Sequence, residues 1–200
     1  MDGKRGIWTP ANIVTCVRIC LIPVFMALAL FAWADESYPD LVTSGIAFLL
    51  YVALSLTDKV DGYLARSRGE VTDFGKFLDP IADKLLVFSA LLLLLQHGLV
   101  SVWAVFVILL REFLVSALRM IAGARGVVIA ADSLGKAKTA VTMVSLCVYC
   151  FVPVLVALGL LFEGAMLLLV AHALMAVAVV LTVVSGWQYF RHARGLFDAE

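Results

Sequence analysis

The sequence predicts an all-α, polytopic membrane protein: six transmembrane helices in one domain that spans residues 1–200. Of the 200 residues, 64% are hydrophobic and the mean hydropathy is +1.06, whereas a soluble domain is about half apolar. Apolar runs of about 20 residues, long enough to cross a bilayer, recur along the chain. The 15 basic and 15 acidic residues balance, so net charge identifies no partner, and we expect no nucleic acid.

The spans are predicted at about 11–33, 41–60, 77–97, 101–122, 135–158 and 165–188. Residues 1–10 form a short polar arm in which Thr9 can cap the first helix, with Pro10 at its first position. The first apolar run is too long for a secretory signal and contains Arg18, so we expect it to be retained. The break at Gly159 to Gly164 is weak, so the bounds of the last two spans can shift by several residues.

The distribution of charge predicts the orientation. Connections after the first, third and fifth spans carry no Lys or Arg. The opposite side carries Lys4, Arg5, Lys59, Arg66, Arg68, Lys76, Arg125, Lys136, Arg191 and Arg194. The positive-inside rule therefore places both termini in the cytoplasm. We expect a multi-pass protein of the inner (cytoplasmic) membrane.

Four aspartates stand out against this apolar background: Asp58, Asp61, Asp79 and Asp83. Their spacings of three and four put each pair on one face of a helix, and the orientation brings all four to the cytoplasmic side. A carboxylate near a membrane span is costly unless it is paired, bound to metal or wetted. Hard oxygen ligands suit magnesium, manganese or calcium, so the pattern predicts a metal site.

The longer pattern D-x2-D-G-x2-A-R-x8-G-x3-D-x3-D is filled by Asp58, Asp61, Gly62, Ala65, Arg66, Gly75, Asp79 and Asp83. It resembles the signature of the CDP-alcohol phosphotransferase family at every fixed position. Asn12, Thr15 and Arg18 are similar to the family's N-terminal N-x-x-T-x-x-R. The segments 111–119 and 135–139 are similar to the branch of the family that uses glycerol 3-phosphate.

The resemblance implies a family-type helical bundle, a homodimer, and transfer of the phosphatidyl group of CDP-diacylglycerol to glycerol 3-phosphate with release of CMP. It also implies two divalent ions, Mg²⁺ or Mn²⁺, bound by the four aspartates, with Asp83 acting in addition as the base for the incoming hydroxyl. The residues implied to bind CDP are Asn12, Thr15, Asp58, Gly62, Ala65, Arg66 and Gly75.

The phosphate of the acceptor requires basic partners, for which the candidates are Arg18, Arg111, Arg119, Lys136 and Lys138. Arg111 lies about ten residues into a span, where an unpaired arginine costs at least ~2.5–3.5 kcal/mol. It is expected to bind substrate phosphate; the alternatives are that it pairs with an intramembrane acid such as Asp83 or that it snorkels to the membrane surface. We expect Glu112 to orient a basic neighbour. Interfacial anchors are predicted at Trp8, Trp33, Trp103, Trp187, Tyr189, Phe190 and Arg191.

Two alternatives remain open from the sequence. Within the family, the acceptor could instead be phosphatidylglycerol, serine or inositol phosphate. From another class, six spans with intramembrane acids could form a cation transporter. The acids cluster at one membrane side and no repeat relates the two halves, whereas transporters often bind ions at the midplane between repeats.

Overall fold

A computed structural model of the protein describes residues 9–33, 39–67, 72–124 and 133–193, excluding the side chains at 11, 58–67, 73, 76–77, 124 and 192–193. The helices are α1 (Pro10–Ala32), α2 (Leu41–Ser67), α3 (Asp73–Gln96), α4 (Val102–Ala124), α5 (Ser133–Ala157) and α6 (Leu161–Ala193). Over the described ranges these helices are the regular secondary structure, and no strand occurs. The all-α class is confirmed.

Polar side chains fix where three of the helices begin. Thr9 is the N-cap of α1 and Pro10 its first residue, as predicted. Thr72 caps α3, where its Oγ1 accepts a hydrogen bond from the Gly75 backbone N–H at 3.0 Å. Asp40 precedes α2, and its hydrogen bonds from the Thr43 side chain and backbone hold the pKa of the Asp40 carboxyl below its usual value. Each cap satisfies a backbone donor at a helix end.

Glycines in the left-handed region reverse the chain after α3 and α5. Gly98 has φ +67° and Gly159 has φ +77°, a conformation that glycine adopts without steric cost. The predicted break before the last helix is shorter than the sequence suggested. Gly164 lies inside α6 with Val156 of α5 beside it, because the turn at Gly159 alone separates the two helices.

The helices pack into one bundle around a shared apolar core. The most extensive contact is between α5 and α6; α1 packs on α2 and α3, α2 on α5, and α4 on α6. Fully buried core side chains include Phe25, Tyr51, Leu86, Ile108 and Leu146. This packing brings the polar beginnings of α1 and α3 together, and it places the second half of α4 beside the end of α6.

Three helices among the described residues are long and apolar enough to cross a membrane: Asn12–Ala32, Ser133–Ala157 and Leu161–Arg191. Leu41–Thr57 is a shorter apolar helix. The helix positions agree with the six predicted segments, while six crossings remain a prediction.

Two of the predicted interfacial anchors are wrong. Trp33 is 8% exposed and stacks edge-on against the ring of His97, and Tyr189 is 4% exposed. Both therefore belong to the interior of the bundle. Trp103 and Trp187 are exposed, as an anchor requires. Trp8 lies outside the described residues.

Candidate active site

One face of α1 is polar and buried. Asn12, Thr15 and Arg18 follow one another at spacings of three, so they share a helix face, and each is 3% exposed or less. Buried polar groups are stable only when they have hydrogen-bond partners. The partners are on α3.

The first contact between α1 and α3 depends on a glycine. Asn12 Nδ2 donates to Thr72 Oγ1 at 2.8 Å. A Cβ at Gly75 would lie 2.5 Å from Asn12 Oδ1, closer than real Cβ atoms approach other atoms. The close approach of α1 and α3 therefore requires a glycine at position 75. This packing role is separate from the predicted role of Gly75 in a nucleotide site.

Two of the four predicted metal ligands are hydrogen-bonded to α1. Thr15 Oγ1 donates to Asp79 Oδ1 at 3.1 Å. Arg18 Nη1 lies 2.9 Å from Asp83 Oδ1. Arg18 is 2% exposed and Asp83 46% exposed, so a buried cation orients a half-exposed carboxylate. We call Asn12, Thr15, Arg18, Asp79 and Asp83 the aspartate cluster.

The other half of the predicted donor site is on α2. Asp58, Asp61, Gly62, Ala65 and Arg66 lie in its last turns, and their side chains are outside the described part. Among the side chains that are described, no three of His, Cys, Asp or Glu come together as a metal site would.

The carboxylates predicted to bind metal nevertheless suit a hard cation. Asp79 and Asp83 lie one turn apart on α3, so both carboxylates are on one helix face, and α2 contacts α3. Carboxylate oxygens are ligands for Mg²⁺ and Mn²⁺. The residues present therefore suit the ions that the sequence predicts.

A second polar group joins α4 to α5. Glu112 Oε1 accepts hydrogen bonds from Arg111 Nη1, at 3.0 Å, and from Lys138 Nζ. The exposed fractions are 14% for Arg111, 19% for Glu112 and 5% for Lys138. We call these three residues the basic cluster; it carries one net positive charge.

The candidate acceptor residues therefore occupy different places. Arg111 and Lys138 are brought together, and Lys136 and Arg119 are exposed. Arg18 belongs to the aspartate cluster, where it pairs with Asp83. From the sequence, Asp83 is a possible partner of Arg111, but in the structure Arg111 pairs with Glu112.

The two clusters lie on helices that contact one another. The aspartate cluster includes Asp79 and Asp83 of α3, the basic cluster includes Lys138 of α5, and α3 contacts α5. The arrangement offers carboxylates for metal ions on one side and cations for a phosphate on the other.

The profile of the CDP-alcohol phosphatidyltransferase family matches residues 8–184, which cover α1 to α5 and most of α6. The chain belongs to this family. The aspartate cluster and the basic cluster both lie within the matched region.

Several members of the family resemble the chain along nearly its whole length. It is 45% identical over 186 residues to the CDP-diacylglycerol–glycerol-3-phosphate 3-phosphatidyltransferase of Bacillus subtilis, covering 90% of this chain and 92% of the relative. Identity to the Rickettsia typhi enzyme of the same name is 35%, covering 93% and 97%. A protein named "Probable phosphatidylglycerophosphate synthase" of Mycobacterium tuberculosis is 36% identical, covering 98% and 86%.

Contacts from α6 are not predicted by the sequence. Arg119 Nε donates to Tyr189 Oη at 3.3 Å, and Arg111 packs against Gly186. A tyrosine near the end of an apolar helix has the same sequence signal whether it faces lipid or an arginine, so only the packing of α4 on α6 distinguishes the two.

Proposed function

We propose that the protein transfers the phosphatidyl group of CDP-diacylglycerol to glycerol 3-phosphate, giving phosphatidylglycerol phosphate and CMP. The observation that carries the proposal is the similarity, over nine-tenths of both chains, to the Bacillus subtilis enzyme named for this reaction. Family membership also favours a transferase over the cation transporter that the sequence left open.

The donor half of the proposed site is the aspartate cluster together with residues in the last turns of α2. Asp58, Asp61, Asp79 and Asp83 would hold two Mg²⁺ or Mn²⁺ ions. When bound, such ions would supply the positive charge that neutralises a diphosphate and stabilises the charge developing on the reacting oxygens. Thr15 orients Asp79 through its hydrogen bond. Gly62, Ala65 and Arg66 would line the CDP site, with small residues admitting the nucleotide and the guanidinium binding phosphate.

Asp83 is the proposed base. Its side chain is accessible, and Arg18 fixes the direction of its carboxylate. In the proposed mechanism Asp83 takes the proton of the acceptor hydroxyl as the hydroxyl oxygen attacks the β-phosphorus of the CDP-lipid, the phosphorus that bears the lipid. The bond from that phosphorus to the bridging oxygen breaks, and the oxygen leaves with CMP. General-base catalysis requires the carboxylate within about 2.6–3.2 Å of that hydroxyl.

The acceptor half is formed by the basic cluster with Arg119 and Lys136. Glycerol 3-phosphate brings a dianion, which a planar guanidinium binds through two parallel hydrogen bonds. Arg111 is already held by Glu112 on one side of its guanidinium. Because Glu112 also accepts a hydrogen bond from Lys138, it holds both cations in place before the substrate binds.

We further propose the membrane arrangement that the charge distribution predicts. The six helices would cross the inner membrane with both termini and the site on the cytoplasmic side, and the chain would form a homodimer. The positive-inside pattern supports the orientation.

Product identity tests the proposal. Purified protein is incubated with CDP-diacylglycerol, Mn²⁺ or Mg²⁺, and in separate reactions with labelled glycerol 3-phosphate, serine, inositol phosphate or phosphatidylglycerol. We expect labelled phosphatidylglycerol phosphate and an equal amount of CMP from glycerol 3-phosphate. Product from another acceptor, with none from glycerol 3-phosphate, would reject the proposed acceptor and keep the family chemistry.

A further inference from the structure

Gly186 and Tyr189 of α6 lie beyond residues 8–184, the region that matches the family profile. Each contacts one arginine of α4. They are three residues apart, so they share one face of α6, and Tyr189 is buried there. These two contacts connect α6 to the proposed acceptor site.

Gly186 leaves space for the Arg111 side chain. A Cβ at Gly186 would lie 3.2 Å from Arg111 Cγ, and a Cβ at Gly135 of α5 would lie 3.3 Å from Arg111 Nη2. Both distances are tighter than ordinary van der Waals contact. Arg111 therefore runs through a slot between two glycines, and Glu112 holds its Nη1. A methyl group on either glycine would require the Arg111 side chain to shift by a few tenths of an ångström.

Tyr189 holds Arg119. Its hydroxyl accepts the hydrogen bond from Arg119 Nε, and the guanidinium carbon lies 5.7 Å from the centre of its ring. Tyr189 is 4% exposed and packs with Val115 and Leu118 in a small apolar cluster. A rigid buried ring thus fixes the direction of a long exposed cation, and the face of the ring attracts that cation.

One short segment of α6 contacts both arginines of α4. Arg111 and Arg119 are eight residues apart on α4, which is about 12 Å along the helix axis. Their partners Gly186 and Tyr189 are separated by only about 4.5 Å along α6. The contacts run in the same order on both helices, so one short segment of α6 contacts both arginines.

We propose that Gly186 and Tyr189 are positioning residues for the acceptor phosphate: they orient Arg111 and Arg119 and do not touch the substrate. The inference rests on the proposed function, and it adds the end of α6 to the acceptor site. It predicts that changes at these positions weaken the binding of phosphate-bearing acceptors and leave the donor site unaffected.

The first test is Tyr189→Phe, which keeps the ring and removes the hydroxyl that receives Arg119. This hydrogen bond is long, at 3.3 Å, so losing it should have the effect of losing an ordinary hydrogen bond and raise the KM for glycerol 3-phosphate about threefold to tenfold. The KM for CDP-diacylglycerol should stay the same. Inorganic phosphate is tested as a competitive inhibitor, and its inhibition constant should rise by a similar factor. Trp187→Phe, at an exposed aromatic of the same helix, is the control.

Gly186→Ala is the second test, and α6 offers a matched control. A Cβ at Gly164 would lie 3.2 Å from Val156 Cγ2, the same crowding against an apolar side chain away from the site. We expect Gly186→Ala to raise the KM for glycerol 3-phosphate several-fold and Gly164→Ala to leave it unchanged. Thermal stability of both variants is measured alongside, because crowding within a helix pair destabilises by itself.

The outcomes separate the inference from the function on which it rests. If wild-type protein uses glycerol 3-phosphate but Tyr189→Phe and Gly186→Ala keep its KM unchanged, α6 has no positioning role. A rise in the KM values for both substrates together would exclude that role as well. If wild-type protein accepts only an alcohol without phosphate, the proposed function fails first and the inference fails with it.

Discussion

Glu112 is the acceptor shared by two cations, and its removal should destabilise the protein more than the loss of an ordinary surface acid. In Glu112→Ala, Arg111 and Lys138 remain neighbours and lose the counter-charge that they share. Breaking a buried ion pair by deleting one partner costs about 3–5 kcal/mol. All three side chains are less than a fifth exposed, so solvent screening reduces this value little. In a chain of this length 3 kcal/mol corresponds to a fall in Tm of about 6–12 °C.

Thermal unfolding in detergent micelles measures this effect. Glu163→Ala removes an exposed acid from the first turn of α6 and should cost below about 1 kcal/mol. Adding Lys138→Met to Glu112→Ala removes one of the two uncompensated charges and should recover part of the loss, with a coupling of about 0.5–3 kcal/mol. Equal Tm values for Glu112→Ala and Glu163→Ala, with additive effects in the double variant, would refute the shared ion pair.

Three further results are expected. Gly75→Ala should destabilise by about 1–3 kcal/mol because its Cβ would meet Asn12, whereas Gly45→Ala, with open space around it, should be neutral or stabilising; thermal unfolding distinguishes the two. Asp79→Asn should abolish CMP release even at saturating Mn²⁺ while the protein still inserts in the membrane, and activity in that variant would exclude Asp79 as a ligand. The lowered pKa of Asp40 means that its contribution to stability is present above the usual 3.8 and disappears as the pH falls through the folded value. The Tm difference between wild type and Asp40→Ala should accordingly vanish in acid, and a difference that persists would assign it to another cause.

Much of the fold can be predicted from the sequence because its signals are local. Runs of apolar residues give the helices, and Thr9 with Pro10 gives the first residue of α1. The predicted start of the last span is four residues later than the start of α6, since Gly164 has the same sequence signal as a turn glycine although it lies in a helix. The sequence around Trp33 predicts an anchor at the membrane interface, which is wrong. The ring that Trp33 contacts belongs to His97, which is too distant in sequence for a local pattern to indicate the contact.

The site can be predicted only in part, for the same reason. The spacing of Asp79 and Asp83 indicates a shared helix face, but their partners on α1 are more than sixty residues away. Sequence alone does not indicate that Glu112 accepts from both Arg111 and Lys138, because Lys138 lies 26 residues further along the chain, on another helix. The aspartates are therefore easier to find than the groups that hold them.

The proposed site has two halves, and cations of α4 and α5 hold the acceptor's phosphate. The most direct test is the KM for each substrate in Arg119→Ala and Lys136→Ala. We predict that the KM for glycerol 3-phosphate rises in both variants while the KM for CDP-diacylglycerol stays at its wild-type value. An unchanged KM for glycerol 3-phosphate in both would show that the acceptor's phosphate binds elsewhere.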